Sequence, residues 1–139
     1  MRNYLLLTFL VVILSYESFA QSQVIVLSAK QFATNQQIQL ADLEGWVFKQ
    51  GNTADWANSD LDDGDWKKIK PTELSTDLAD ATGRVEGWFR IKIKLDESFR
   101  DIPVGVARQL WAATDVYVDG LLVHSFGNTG NHMKRLIRF

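Results

Sequence analysis

The residues of this chain best suited to chemistry are four aspartates packed into one short stretch, Asp60, Asp62, Asp63 and Asp65. Trp56 and Trp66 bracket them, and Asn58, Ser59 and Gly64 lie among them. Carboxylates at such spacing invite a calcium reading. A helix–loop–helix calcium loop takes oxygen ligands at its first, third and fifth positions, Gly at the sixth and Glu at the twelfth. Counting from Asp60 puts Pro71 at the twelfth position. Counting from Asn58 puts Asp63 where Gly belongs and Ile69 at the end. Neither register works, so the four aspartates are weak metal candidates. The stronger reading is a solvated turn in which short polar side chains bond their own backbone. No cofactor is expected.

A second set lies on alternating strand positions. Trp88, Arg90, Lys92 and Lys94 share one face of a run whose other face is Phe89, Ile91, Ile93 and Leu95. Arg90, Lys92 and Lys94 then form a basic stripe, read first as a solvated face and second as an anion surface. Trp88, Arg90 and Tyr117 are the candidate ligand-binding residues, because apolar sugar faces stack on aromatic rings. Asp115 and His124 are expected to face each other across a hairpin, as an ordinary cross-strand contact rather than a catalytic dyad. No nucleophile can be placed beside them. His124 and His132, in a chain without cysteine, make a poor zinc set. Glycoside hydrolysis needs two carboxylates held at a set separation across a sugar, and the acids here lie in turns. The expectation is a non-enzyme.

These residues must be positioned by strands. Trp46 and Phe48 share one face of a pleat over Leu43 to Lys49, with Val47 on the other. Gly87 to Leu95 alternates as a half-buried antiparallel strand does. Ile102, Val104 and Val106 continue the alternation at an edge, where Pro103 is tolerated. Asp115 to Val118 and Leu121 to His124 form a hairpin around Asp119-Gly120, a dipeptide suited to the positive φ values of a two-residue loop. That loop predicts Val118 opposite Leu121, Tyr117 opposite Leu122, Val116 opposite Val123, and Asp115 opposite His124. Val116, Val118, Leu121 and Val123 are then expected on the core face. Gln21 to Gln39 is read as an edge strand followed by a loop. No amphipathic helix is expected after the first twenty residues. The pattern indicates an all-β sandwich.

Met1 to Ala20 has the parts of a secretory signal: Arg2, an apolar run from Tyr4 to Leu14, and Ser18-Phe19-Ala20 as a processing site. Ser15, Glu17 and Ser18 stop that run short of the ~20 apolar residues a membrane span needs. A net charge of −2 argues against nucleic acid, whose binding rests on clustered Lys and Arg facing phosphates. An exported chain without cysteine must be held by its core, and five Trp and eight Phe make an aromatic one.

Three pieces in order carry a family resemblance: Gly45-Trp46 with the acidic loop ending in Trp66, then Gly87-Trp88-Phe89-Arg90, then Asp115-Val116-Tyr117-Val118-Asp119-Gly120. Together they resemble the galactose-binding-like jelly-roll domain. That domain occurs as the extracytoplasmic sensor of bacterial histidine kinases and seven-helix receptors, and as the sugar-binding domain of family-two glycoside hydrolases. The resemblance implies a galactose-binding-like β-sandwich over residues 43–130, after a signal peptide (1–20) and an N-terminal edge strand and linker (21–42). It implies further strands after Gly130, so residues 131–139 are expected to be a C-terminal tail of a truncated or out-of-frame reading. Lys134, Arg135 and Arg138, interleaved with apolar residues, also read as a basic membrane-surface segment.

The function this implies is a non-catalytic, ligand-sensing domain on the periplasmic or extracellular side of a bacterial membrane, a fragment of a receptor such as a sensor histidine kinase. Its partner would be a carbohydrate or another small extracytoplasmic ligand, with membrane contact only through missing downstream segments. The alternatives are a carbohydrate-binding module of a secreted glycoside hydrolase, or an autonomous secreted interaction protein.

Overall fold

The computed structural model describes residues 22–35, 37–107, 112–127 and 134–138. The expected leader, Met1 to Ala20, lies outside the described residues, as do Trp111 and His132. Among the described residues, seven strands and one α-helix make a β-rich fold: β1 (Val24–Leu27), α1 (Ala29–Asn35), β2 (Val47–Gln50), β3 (Lys67–Lys68), β4 (Gly87–Leu95), β5 (Thr114–Val118), β6 (Leu121–Phe126) and β7 (Lys134–Arg138).

Everything is arranged around β4. The strands form one mixed sheet in the order β3-β2-β4-β7-β5-β6, with β1 also on β4. Phe89 pairs with both β2 and β7, and Lys92 pairs with both β1 and β7. Antiparallel β2 and parallel β1 therefore share one edge of β4, end to end, and β7 takes the other edge. β7 also runs parallel to β5, while β5 and β6 are the antiparallel hairpin.

The alternation of β4 is real, but both of its faces are covered. On one face Phe89, Ile91 and Ile93 pack with Leu27, Trp46, Phe48, Phe99 and Val116. Phe48 lies 4.8 Å from Phe89 between ring centroids, and Trp46 meets the same ring edge-on at 6.2 Å. α1 closes this layer through Ala29 and Phe32, the latter edge-on to Phe99 at 5.3 Å. On the other face Trp88 packs with Val47 and Trp66 in a second, smaller cluster that includes Tyr117 and Leu61 at its margin. The half-solvated, wholly antiparallel setting expected for β4 is thus replaced by a central strand with parallel neighbours. Burial on both faces is the usual condition of parallel strands.

Four other expectations change. Asp119 and Gly120 do adopt positive φ values, 47° and 84°, and Val118 and Tyr117 do face Leu121 and Leu122. The register then slips between Val116 and Tyr117, so Val116 faces His124 and Asp115 faces Ser125. A bulge of this kind puts two residues opposite one and turns the strand. Val116 is accordingly buried, whereas Leu121 is 72 % exposed and Val123 is also in solvent. Ile102, Val104 and Val106 form no strand and are exposed. A helix, α1, stands where a loop was expected after β1. The closing Lys134–Arg138 segment, read as a tail or membrane-surface stretch, is strand β7.

The tightest approach in the sheet is at Gly87. A Cβ there would lie 2.4 Å from Phe48 Cε2 and 2.7 Å from the Lys49 carbonyl oxygen. One of these obstacles is backbone, so it cannot rotate away. Gly87→Ala is expected to destabilise the chain by about 1–3 kcal/mol, the usual cost of overpacking. Urea unfolding checks this, and a midpoint unchanged from the parent chain would contradict the close pairing of β2 with β4.

Candidate functional site

The acidic stretch folds back over the second face of β4. Asn58 Oδ1 accepts from the Asp60 N–H at 2.9 Å, and Asp62 Oδ1 accepts from the Gly64 N–H at 3.0 Å. Such local bonds hold the chain in turns and swing Asp63 inward. Asp63 is 1 % exposed, and so is Arg90 beneath it. Asp63 Oδ2 lies 3.2 Å from Arg90 Nε, near enough for an ion pair although not aligned as a hydrogen bond. Its other oxygen accepts from Lys92 Nζ at 3.0 Å. Arg90 Nη1 donates to the carbonyls of Trp56 and Asn58 at 2.9 and 3.0 Å, and the guanidinium sits 5.5 Å over the Trp66 ring.

Loop and strand are therefore tied by one buried carboxylate, two cations and three backbone carbonyls, the third being that of Ser59, which accepts from Arg90 Nη2 at 3.5 Å. Lys49 adds an outer tie. It pairs with Asp65 at 2.9 Å and lies 5.5 and 5.7 Å over the Trp56 and Trp66 rings, which meet edge-on at 5.3 Å. The hydrogen bond from Lys49 holds the Asp65 carboxyl below its ordinary 3.8.

The residues singled out from sequence fall as follows. Trp88 is fully buried, with Tyr117 tilted against it at 5.2 Å. Arg90 is buried in the ion cluster. Of the three ligand candidates, only Tyr117 keeps some surface. The basic stripe is not a solvated face: Arg90 and Lys92 serve Asp63, and Lys94 alone is exposed. Asp60, Asp62, Asp63 and Asp65 diverge into separate partners, and no group of three or more His, Asp or Glu among the described residues is placed to hold a metal ion. Asp115 and His124 do not face each other; Asp115 Oδ1 accepts from Ser125 Oγ at 2.6 Å.

A cleft that nothing in the sequence pattern announces lies at the start of β2. Ser22 and Gln23, entering β1, form one wall of a cleft of about 420 Å³. Gly45, Trp46 and Val47 line it next, then Lys68, Ile69 and Lys70, with Glu44 and Glu73 completing it. Gly45 is at φ +91°, and a Cβ there would meet the Gln23 carbonyl and Ile25 side chain at 3.3 Å, so the glycine lets β1 approach. Trp46 is anchored by its indole N–H, which donates to the Leu40 carbonyl at 2.7 Å. Lys70 is held twice: its ammonium pairs with Glu44 at 2.5 Å, and its backbone N–H donates to Glu73 Oε2 at 2.9 Å. The Glu44 contact, first among several acids, raises the Lys70 pKa above 10.5.

Ser22 is 6 % exposed, and its hydroxyl has no hydrogen-bond partner among the described residues. A buried polar group without a partner costs about 1–3 kcal/mol. Nothing in the local sequence of Ser22 announces this; the signal is the meeting of three distant segments.

Comparison with family models, with curated proteins and with solved structures gives no match. Among the described residues, no helix is long and apolar enough to cross a membrane.

Burial, with a smaller contribution from Asp115, raises the Tyr117 pKa above its ordinary 10.0. The unfolded phenol ionises first, so stability from this group is full below pH 10 and falls as pH rises through the folded value. The urea midpoint is expected to drop above about pH 10, and Tyr117→Phe to flatten the drop. An unaltered slope in the variant would show that Tyr117 is not held against Trp88.

Proposed function

We propose that the chain is a non-catalytic, extracytoplasmic ligand-sensing domain of the galactose-binding-like jelly-roll kind, acting by binding alone. The observation that carries this reading is the cleft between the Ser22–Gln23 entry to β1 and the Lys68–Lys70 segment. A ligand touching both walls would join the start of the described chain to the edge strand β3. It would favour whichever arrangement brings the two together, which is how binding energy becomes a conformational signal. The export pattern from Arg2 to Ala20 supports the extracytoplasmic part of the reading, because the cleft begins two residues beyond the expected processing site.

Two measurements test it. After expression in a bacterium, N-terminal sequencing of the periplasmic or secreted product is expected to begin at Gln21. An intact Met1 in the cytoplasmic fraction would remove the extracytoplasmic assignment. A thermal-shift screen with small polar metabolites (sugars, organic acids, amino acids, phosphates) is expected to find at least one stabiliser. A site-specific ligand at 100 times its Kd adds about 2.7 kcal/mol. A screen without any stabiliser would end the ligand-sensing reading.

A further inference from the structure

A second place for a small molecule lies where the acidic loop meets β2, and it shares no residue with the lining of the cleft. Lys49 Nζ stands 5.5 Å over the Trp56 ring, 5.7 Å over the Trp66 ring and 2.9 Å from Asp65 Oδ2. Two indoles meeting edge-on at 5.3 Å and one carboxylate thus converge on a single point, which a cation of the chain's own fills. Cages that recognise cationic ligands use the same attraction, between a positive charge and the negative faces of aromatic rings. Solvent reaches the point, since the Lys49 side chain is 37 % exposed and that of Asp65 is 71 % exposed.

The aromatic walls are held independently of Lys49. Trp66 is buried, its backbone N–H donates to the Asp63 carbonyl at 3.1 Å, and the Arg90 guanidinium lies 5.5 Å over its ring. The Trp56 carbonyl accepts from Arg90, and a Cβ on Gly51 would stand 3.3 Å from Trp56 Cη2, so the end of β2 backs that ring. Withdrawal of one flexible side chain therefore leaves a preformed site, which spares a ligand the cost of ordering it.

The spacing identifies the cation it suits. A methyl carbon touching a ring lies about 3.5–4.0 Å from it, and a C–N single bond adds about 1.45 Å. A methylated nitrogen then stands about 5–5.5 Å from each ring, close to the 5.5 and 5.7 Å of Lys49 Nζ. A bare ammonium can approach nearer, so Lys49 leaves room for a methyl group at each wall. A primary ammonium is also a compact, strongly hydrated charge, whereas a quaternary one has no N–H to leave unpaired. We propose that Trp56, Trp66 and Asp65 form a cage for a trimethylammonium group, and that Lys49 occupies it as an internal competitor that must swing out before the ligand enters. Free choline and the phosphatidylcholine headgroup both present that group.

The test is an NMR titration of the isotope-labelled full chain with choline and with ethanolamine, read at the indole N–H signals of Trp56 and Trp66. Sedimentation with vesicles of phosphatidylcholine or of phosphatidylglycerol examines the lipid source. Lys49→Ala is expected to bind choline at least about tenfold more tightly than the parent, because the competitor is gone. Ethanolamine, which lacks the methyl groups, should bind that variant at least about tenfold more weakly than choline. Adding Asp65→Asn should weaken choline several-fold. Circular dichroism checks folding, and Lys49→Gln, which keeps most of the stem, carries the same comparison if the alanine variant does not fold.

Equal affinity of parent and variant for choline would overturn the competitor role of Lys49. Equal affinity for choline and ethanolamine would overturn the trimethylammonium assignment. Sedimentation with phosphatidylcholine but not phosphatidylglycerol, without choline binding, would support the cage and place its ligand on a lipid. A variant that neither shifts saturably with choline nor sediments with phosphatidylcholine would overturn the site.

Discussion

The structure depends on keeping a guanidinium out of water in the middle of a sheet. Arg90 occupies a central position of β4, where parallel β7 lies on one edge and β2 on the other. An unpaired charge there would cost several kcal/mol. The acidic loop meets that demand by delivering Asp63 and three backbone carbonyls to the same side chain. Once Asp63 is in place, Lys92 has a partner, Trp66 has a cation over its ring, and Trp88 has a lid. The second hydrophobic cluster and this ion pair share Trp66, whose ring lies under the guanidinium. Even the hairpin tip is involved, since a Cβ on Gly120 would stand 3.3 Å from the Ala57 carbonyl.

That dependence explains which parts of the fold were legible in the sequence. The alternation of Phe89, Ile91 and Ile93, the shared face of Trp46 and Phe48, and the Asp119-Gly120 turn are local patterns. Each is settled by a period of two or by a backbone preference at neighbouring residues. The other face of β4 was misread because its pattern is ambiguous. Arg90 and Lys92 look the same in a string of letters whether water or Asp63 neutralises them. A strand buried on both faces usually shows a continuous apolar run; here buried cations broke the run and imitated a solvated face. The acidic loop was recognised as a turn, yet nothing in a turn-forming composition says which of its aspartates points inward.

The hairpin failed for a related reason. An ideal two-residue loop fixes the first two pairs, and those were right, but a bulge farther along needs no special residue. Once Val116 faces His124, the core face of β6 is lost, and Leu121 and Val123 stand in solvent. The cleft was hidden altogether. Ser22, Gly45 and Lys68 belong to three segments joined only by tertiary pairing, and none has a motif of its own. Its lining is made of residues of ordinary type, so only their convergence gives them meaning. β2 links the two regions: its Val47 packs beneath the acidic loop, and the residues before it, Gly45 and Trp46, line the cleft.

The most direct measurement is a double-mutant cycle between Asp63→Ala and Arg90→Met, read by urea unfolding of the parent, both single variants and the double variant. If the ion pair organises the loop over β4, each single change strands a buried charge or a set of carbonyls. The coupling is then expected to exceed about 2 kcal/mol, with the double variant more stable than the sum of the single losses implies. Single losses that simply add, to within about 0.5 kcal/mol, would mean that the loop closes over β4 without the charge pair.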